Sequence, residues 1–116
     1  MPKNAEYIPT PQEQAALDYH RRHLAGRTYL QNPDGSLTTF YGAIVGPDDG
    51  MYRLIPTYWG GARREVPEAM EFAMRSGIDF PSYKSLGRAE AAERALHDIM
   101  AEDTRKYQER KAAARK

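Results

Sequence analysis

The sequence contains no cysteine. That absence excludes a disulfide framework, a thiolate metal site and a cysteine nucleophile together. Net charge is nearly absent as well: 17 basic against 16 acidic side chains leave +1, so the whole-molecule field favours neither nucleic acid nor a membrane. No stretch approaches the roughly 18 apolar residues that a membrane span requires. The opening MPKNAEYIPTPQEQ lacks the apolar region of a secretory signal, so a non-secretory route is expected. Internal repeats and a sustained heptad are missing too, and low complexity is confined to the Ala/Lys/Arg tail. What is present is a chain of 116 residues, the size of one domain, with 41% apolar and 28% charged residues. This composition predicts a small core, with extended helical ends that cover it or reach neighbours.

The chain is organised around residues 54–77, LIPTYWGGARREVPEAMEFAMRSG, which read as a strand, a tight turn, a returning strand and a capped helix. Pro56 suits a strand end or sheet edge. Gly60-Gly61 supplies the positive φ angles of a two-residue hairpin turn. Pro67 fits a first helical turn, and Gly77 fits the left-handed stop. Residues 1–10 read as an extended arm. Thr10-Pro11 resembles an N-cap pair opening a helix over 11–25, with Leu17, His20 or Arg21, and Leu24 along one side and Gly26 at its end. A short strand over 28–31 and the turn Asn32-Pro33-Asp34-Gly35 follow. The β-branched and aromatic run 36–45 predicts a strand, Gly46-Pro47-Asp48-Asp49-Gly50 a break, and 51–55 its hairpin partner. With period two, Tyr52 and Leu54 share one face and Arg53 takes the other. The Tyr58–Arg63 turn would complete a three-stranded meander.

The helix over 67–76 should turn Met70, Ala73 and Met74 inward, and Ile78, Phe80 and Tyr83 of the next loop should tuck against the sheet. Ser85 caps a last helix whose stripe is Leu86, Ala89, Ala92, Leu96, Ile99 and Met100. Beyond it the stripe thins to Tyr107 while basic residues accumulate. The fold class is therefore α+β: a small antiparallel β-meander packed with two or three helices, an extended N-terminal arm and a long C-terminal helix. Residues 11–100 would form the single domain, and 101–116 a basic helical extension.

Candidate chemistry is sparse. His20 and His23 stand three apart on a helix, a metal-ligand spacing, but no third ligand accompanies them, so solvated or interface histidines are expected. His97 reads as structural, hydrogen-bonded near the loop. Asp34, Asp48 and Asp49 lack the alternation and closing glutamate of a calcium loop. Glu65, Glu68 and Glu71 complement a helix N-terminus better than they make a glycosidase pair. No catalytic, cofactor or metal residue is assigned. Tyr58 and Trp59, with Arg63 and Arg64 across the turn, either cap the core, anchor a protein interface or stack bases. Tyr107 joins these four as a candidate interface residue. Arg105, Lys106, Arg110, Lys111, Arg115 and Lys116 are candidate nucleic-acid contacts through phosphates.

The ordered positions Asp34-Gly35-Ser36, Ile55-Pro56-Thr57, Gly61, Glu68-Ala69, Ser76-Gly77, Tyr83, Ser85, Ala89 and Leu96-His97 resemble a small domain of virion-associated proteins from tailed bacteriophages. The resemblance spans residues 34–97. It departs at Trp59-Gly60, where a polar residue usually precedes the turn glycine, and at Pro67, where the helix start is usually acidic. In that family the domain occurs alone or fused to larger internal virion proteins, some with lytic transglycosylase domains. The resemblance implies the non-enzymatic module: a structural virion protein working by protein–protein docking, made in the host bacterial cytoplasm. Capsid decoration (cement), head–tail connector and internal protein are all open, with capsid, portal or neck subunits as partners in symmetric multiple copies. The rival expectations are a DNA-contacting or regulatory phage protein that uses the basic tail, and a stripped peptidoglycan-cleaving accessory.

Overall fold

The computed structural model describes residues 7–114. Residues 1–6 of the expected arm lie outside them. Helix α1 (Pro11–Ala25) starts on a capping box. The Thr10 hydroxyl accepts from the Glu13 amide at 3.1 Å while the Glu13 carboxylate accepts from the Thr10 amide at 2.9 Å. Two orphan donors are satisfied reciprocally. Leu17, His20 and Leu24 face inward as their spacing predicts, and Glu13, Ala16 and Tyr19 join them.

Strands β1 (Leu30–Gln31) and β2 (Leu37–Thr38) pair across the Asn32–Gly35 turn, whose Asp34 carboxylate accepts from the Ser36 amide at 2.9 Å. The strand expected over 36–45 is split. Thr39 and Phe40 leave the ladder because both have long-range partners, the His20 ring and the aromatic core, and Tyr41 takes φ +47°. Strand β3 (Gly42–Asp48) then runs through the expected break at Gly46-Pro47, with a register shift between Val45 and Asp48. It pairs with β4 (Met51–Pro56), Ile44 opposite Leu54 and Val45 opposite Arg53. Along β4 the consecutive residues Leu54 and Ile55 are both buried, so the strand is covered on both faces.

The segment after Pro56 is not the third strand of that sheet. β5 (Tyr58–Trp59) and β6 (Ala62–Arg63) form a separate hairpin, closed by Gly60 and Gly61 at φ +60° and +86°. The third strand is β7 (Ser82–Tyr83), which reaches β4 only after α2 (Val66–Ser76) has carried the chain back, giving the antiparallel order β3-β4-β7. Ala69 and Ala73 bury the inner face of α2, Met70 is half-buried, and Gly77 ends it at φ +73°. Met74, expected inside, is 78% exposed because Phe72 and Ala73 occupy the inward positions of that turn.

Helix α3 (Leu86–Ala114) opens with the Arg88 amide donating to the Ser85 hydroxyl at 3.2 Å. Its 29 residues span roughly 43 Å and continue without a break past Met100. Ala89, Ala92, Leu96 and Met100 are buried, whereas Leu86 is left exposed at the first turn. Further along, Arg21 donates to Asp103 at 2.8 Å, the Tyr29 and Tyr107 hydroxyls bond at 2.9 Å, and Gln108 donates to the Gly35 carbonyl at 3.1 Å. This stretch of helix thus lies along α1 and the β1–β2 hairpin. Tyr19, Phe40, Trp59 and Phe80 meet edge-on or tilted at ring distances of 4.9–6.4 Å and form the centre of the core.

Candidate docking interface

Of the residues expected at an interface, Tyr58 and Trp59 belong to the core. They are 2% and 9% exposed. The Trp59 ring stacks on Phe72 at 5.7 Å and its indole N–H donates to the Pro56 carbonyl at 2.7 Å. The Tyr58 hydroxyl donates to the Thr28 carbonyl at 2.5 Å, and its own carbonyl accepts from the Tyr19 hydroxyl. With both polar handles satisfied inside the chain, neither ring presents a face to a partner. Arg64 is half-buried, donating to the Trp59 carbonyl at 3.0 Å with Glu68 at 3.7 Å. Tyr107 is half-buried against Tyr29.

Among the tail cations, Arg105 is held by Glu102 and Glu109. The Lys111 ammonium lies 3.3 Å from the Tyr29 hydroxyl. Lys106 and Arg110 are exposed and line a shallow hollow beside Arg21, with Asp103 in the same wall. Arg115 and Lys116 lie outside the described residues. The four described candidates thus do not converge into one bare basic strip.

Arg63 is the expected interface residue that remains fully available. Its guanidinium carbon sits 3.6 Å over the Tyr41 ring, a stack worth about 0.5–1 kcal/mol at an exposed site. Tyr41 is 55% exposed and holds a left-handed backbone, a conformation that costs a non-glycine residue roughly 1 kcal/mol or more. That strain is fixed from below. The Thr57 amide donates to both the Phe40 and Tyr41 carbonyls, at 2.9 and 3.1 Å, and the Thr57 hydroxyl donates to the Tyr41 carbonyl at 2.6 Å. Tyr41, Gly42, Ala43, Arg63, Glu65 and Val66 line a hollow of about 410 Å³.

The start of β3 forms one side of this hollow, and β3 is an edge strand. Its hydrogen-bonding direction follows from β4. The Leu54 amide donates to the Pro81 carbonyl at 2.9 Å, so Leu54 faces β7. Residues opposite one another in an antiparallel pair either bond to each other or both point away. Ile44, opposite Leu54, therefore directs its N–H and C=O to the edge that carries no partner strand among the described residues, and Gly42 does the same two residues earlier. Ala43 and Val45 bond to β4. Pro56 stands opposite Gly42, so its missing N–H interrupts no bond to β3. A Cβ on Gly42 would lie 3.0 Å from the Leu54 side chain and 3.1 Å from the Phe40 ring, so a larger residue there would press on the core.

Sequence reasoning missed Tyr41 and this edge. The signal was the uncharged run Tyr41-Gly42-Ala43-Ile44-Val45-Gly46, which lacks the lysines and glutamates that usually blunt an edge. No known protein family, characterised protein or solved structure matches the chain. Residue geometry and the sequence pattern therefore carry the functional argument.

The histidines are distributed differently from expectation. His20 is not solvated: it is 1% exposed, with Nδ1 at 2.5 Å from the Thr39 hydroxyl and Nε2 at 3.5 Å from the Asp103 carboxylate. Burial pushes its pKa down to about 4, against the opposing pull of Asp103, so the ring is neutral near pH 7. Placing the single proton on Nε2 turns it toward Asp103 and leaves Nδ1 to accept from Thr39. The approach to Asp103 is too long to satisfy Nε2, which has no hydrogen-bond partner among the described residues.

A carboxylate–imidazole–hydroxyl order resembles an acyl-transfer relay. Here, however, Thr39 is only 5% exposed, and the neutral His20 is a weak base that lies deeper than Thr39 itself. The arrangement ties α1, the 39–41 bend and α3 together. It forms the floor of a groove of about 290 Å³ beside α3. His97, expected to be hydrogen-bonded near the loop, is instead exposed on the wall of that groove. His23 bonds to the Thr28 hydroxyl at 2.6 Å and packs edge-on against Tyr19 and Tyr58.

Proposed function

We propose that this chain is a docking protein without a reactive centre, a structural component of a tailed-bacteriophage particle associated with the capsid or neck. The observation that carries the docking part is the unblunted β3 edge beside the strained, exposed Tyr41–Arg63 stack. An open edge offers main-chain hydrogen bonds, and a neighbouring hollow offers side-chain selectivity, which is how sheets recruit a further strand. The phage assignment rests on the ordered pattern over residues 34–97. Made in the host bacterial cytoplasm, the protein would join capsid, portal or neck subunits in symmetric multiple copies.

The DNA-contacting alternative has less support, because Arg105 and Lys111 of the basic tail already have partners in the chain. It predicts an affinity that falls steeply with salt, whereas docking through main-chain bonds at the β3 edge predicts a much shallower slope. Copy number in purified particles is the direct test. A stoichiometry matching a symmetric site is expected, and loss of incorporation in Ile44→Pro, whose missing N–H faces the free edge, should accompany it. Normal incorporation of that variant, or absence of the chain from particles, would contradict the reading.

A further inference from the structure

Resting on this docking reading, we infer that the β3 edge pairs with the β3 edge of a second copy of the chain, antiparallel about a twofold axis through Ala43. The inference starts from the two outward-facing residues. If Gly42 of one copy stands opposite Ile44 of the other, both N–H and both C=O groups of each edge find partners at once. A one-step slip that sets Ile44 against Ile44 moves Gly42 onto Gly46, within the stretch where the ladder is already irregular. The chosen register is thus self-complementary over the regular part of the strand, as an isologous contact must be.

Side chains agree with it. Ala43 meets its own copy on the axis at a non-hydrogen-bonded position, where Cα atoms approach to about 4.5 Å and a small residue fits. No charge stands between residues 41 and 46 to repel its symmetry mate. The opposite edge of the sheet is protected: β7 has only two residues, is followed by Lys84, and its Tyr83 hydroxyl donates to Glu13 at 2.6 Å. One edge is blunted and the other is not. A ribbon this short buries less than the roughly 1,200 Å² of a self-sufficient interface. The pairing is therefore weak in dilute solution and fills where copies are held close, as on a symmetric shell.

The native chain has no cysteine, so engineered thiols report the pairing without background. Ala43→Cys should give a disulfide-linked dimer under mild oxidation, since the on-axis Cα separation lies within the range a disulfide spans. Ile44→Cys should not, because in this register the two thiols sit on Cα atoms roughly 8 Å apart, too far to bridge. Sedimentation of the unmodified chain with rising concentration should show a monomer–dimer equilibrium, weakened at least about tenfold by Ala43→Lys through repulsion on the axis. Cross-linking of both cysteine variants alike would overturn the register. A monomer at every concentration, with neither variant cross-linking, would overturn the second copy as occupant. In that case normal particle incorporation of the unmodified chain, lost in Ile44→Pro, would keep docking to a different protein standing.

Discussion

Lowering the pH from 8 to 4 should destabilise the protein through His20. In the unfolded chain this imidazole titrates near its ordinary 6.5, whereas in the folded chain burial holds it down to about 4. Above 6.5 both states are neutral and the residue contributes no pH dependence. Between 6.5 and 4 the unfolded chain binds a proton that the folded chain refuses, so stability falls as pH drops through that window. At about 1.4 kcal/mol per tenfold change, the gap corresponds to about 3 kcal/mol at its low end. That is a large part of the 5–15 kcal/mol typical of a domain.

The groups facing the ring are Thr39 and Asp103, with Arg21 and His23 nearby on α1. His23 is also shifted down by burial and contributes with the same sign, while carboxylates add their own slopes. Urea unfolding of the wild type and of His20→Gln at pH 8, 6.5, 5.5 and 4.5 separates these contributions. The stability difference between the two proteins should change by about 2.5 kcal/mol across the series, in favour of the variant at low pH. A difference that stays flat would refute the burial argument, as would an imidazole resonance titrating near 6.5 in the folded protein.

Further outcomes follow from the packing at three residues. Glu13→Ala removes the carboxylate that accepts from the Tyr7 and Tyr83 hydroxyls at 2.7 and 2.6 Å and from the Thr10 amide, so it should cost about 2–4 kcal/mol in thermal or urea unfolding. In the same variant the phenols of Tyr7 and Tyr83, held above the ordinary tyrosine range chiefly by burial and then by Glu13, should ionise at lower pH in an ultraviolet titration. Trp59→Ala should cost about 3–5 kcal/mol of stability, read by urea midpoint, because the ring is a core element. Arg63→Ala should cost under about 1 kcal/mol of stability yet weaken docking in a binding assay, because its contact with Tyr41 lies at the surface.

Features set by local chemistry were legible in the sequence. The Thr10 cap, the Gly60-Gly61 turn, the Gly77 stop and the Ser85 cap each depend on a few adjacent residues, and each stands where expected. Features decided across the fold were not. The β-branched and aromatic composition made a continuous strand of residues 36–45, but the hydroxyl of Thr39 and the ring of Phe40 are claimed by α1 and the core, and the strand breaks there. β7 is only two residues long, too short to announce itself, and pairs because α2 returns the chain beside β4.

Polar and aromatic types misled in a consistent way. Glu13 and Tyr19 have no place in the inward stripe that spacing gives, yet both are buried because Tyr83 and the Tyr58 carbonyl, on distant segments, partner them, and His20, expected solvated or at an interface, is buried against Thr39. Tyr58 and Trp59 carried the interface reading, yet the ring left at the surface is Tyr41, whose exposure follows from a bend that long-range bonds to Thr57 create.

Amide hydrogen exchange along β3 tests the docking claim most directly. In the dilute chain the Gly42 and Ile44 amides should exchange fast while Ala43 and Val45, bonded to β4, exchange slowly, and assembly should slow the first pair alone. Protection of Gly42 and Ile44 already in the dilute monomer, or continued fast exchange once the protein is assembled, would contradict the account.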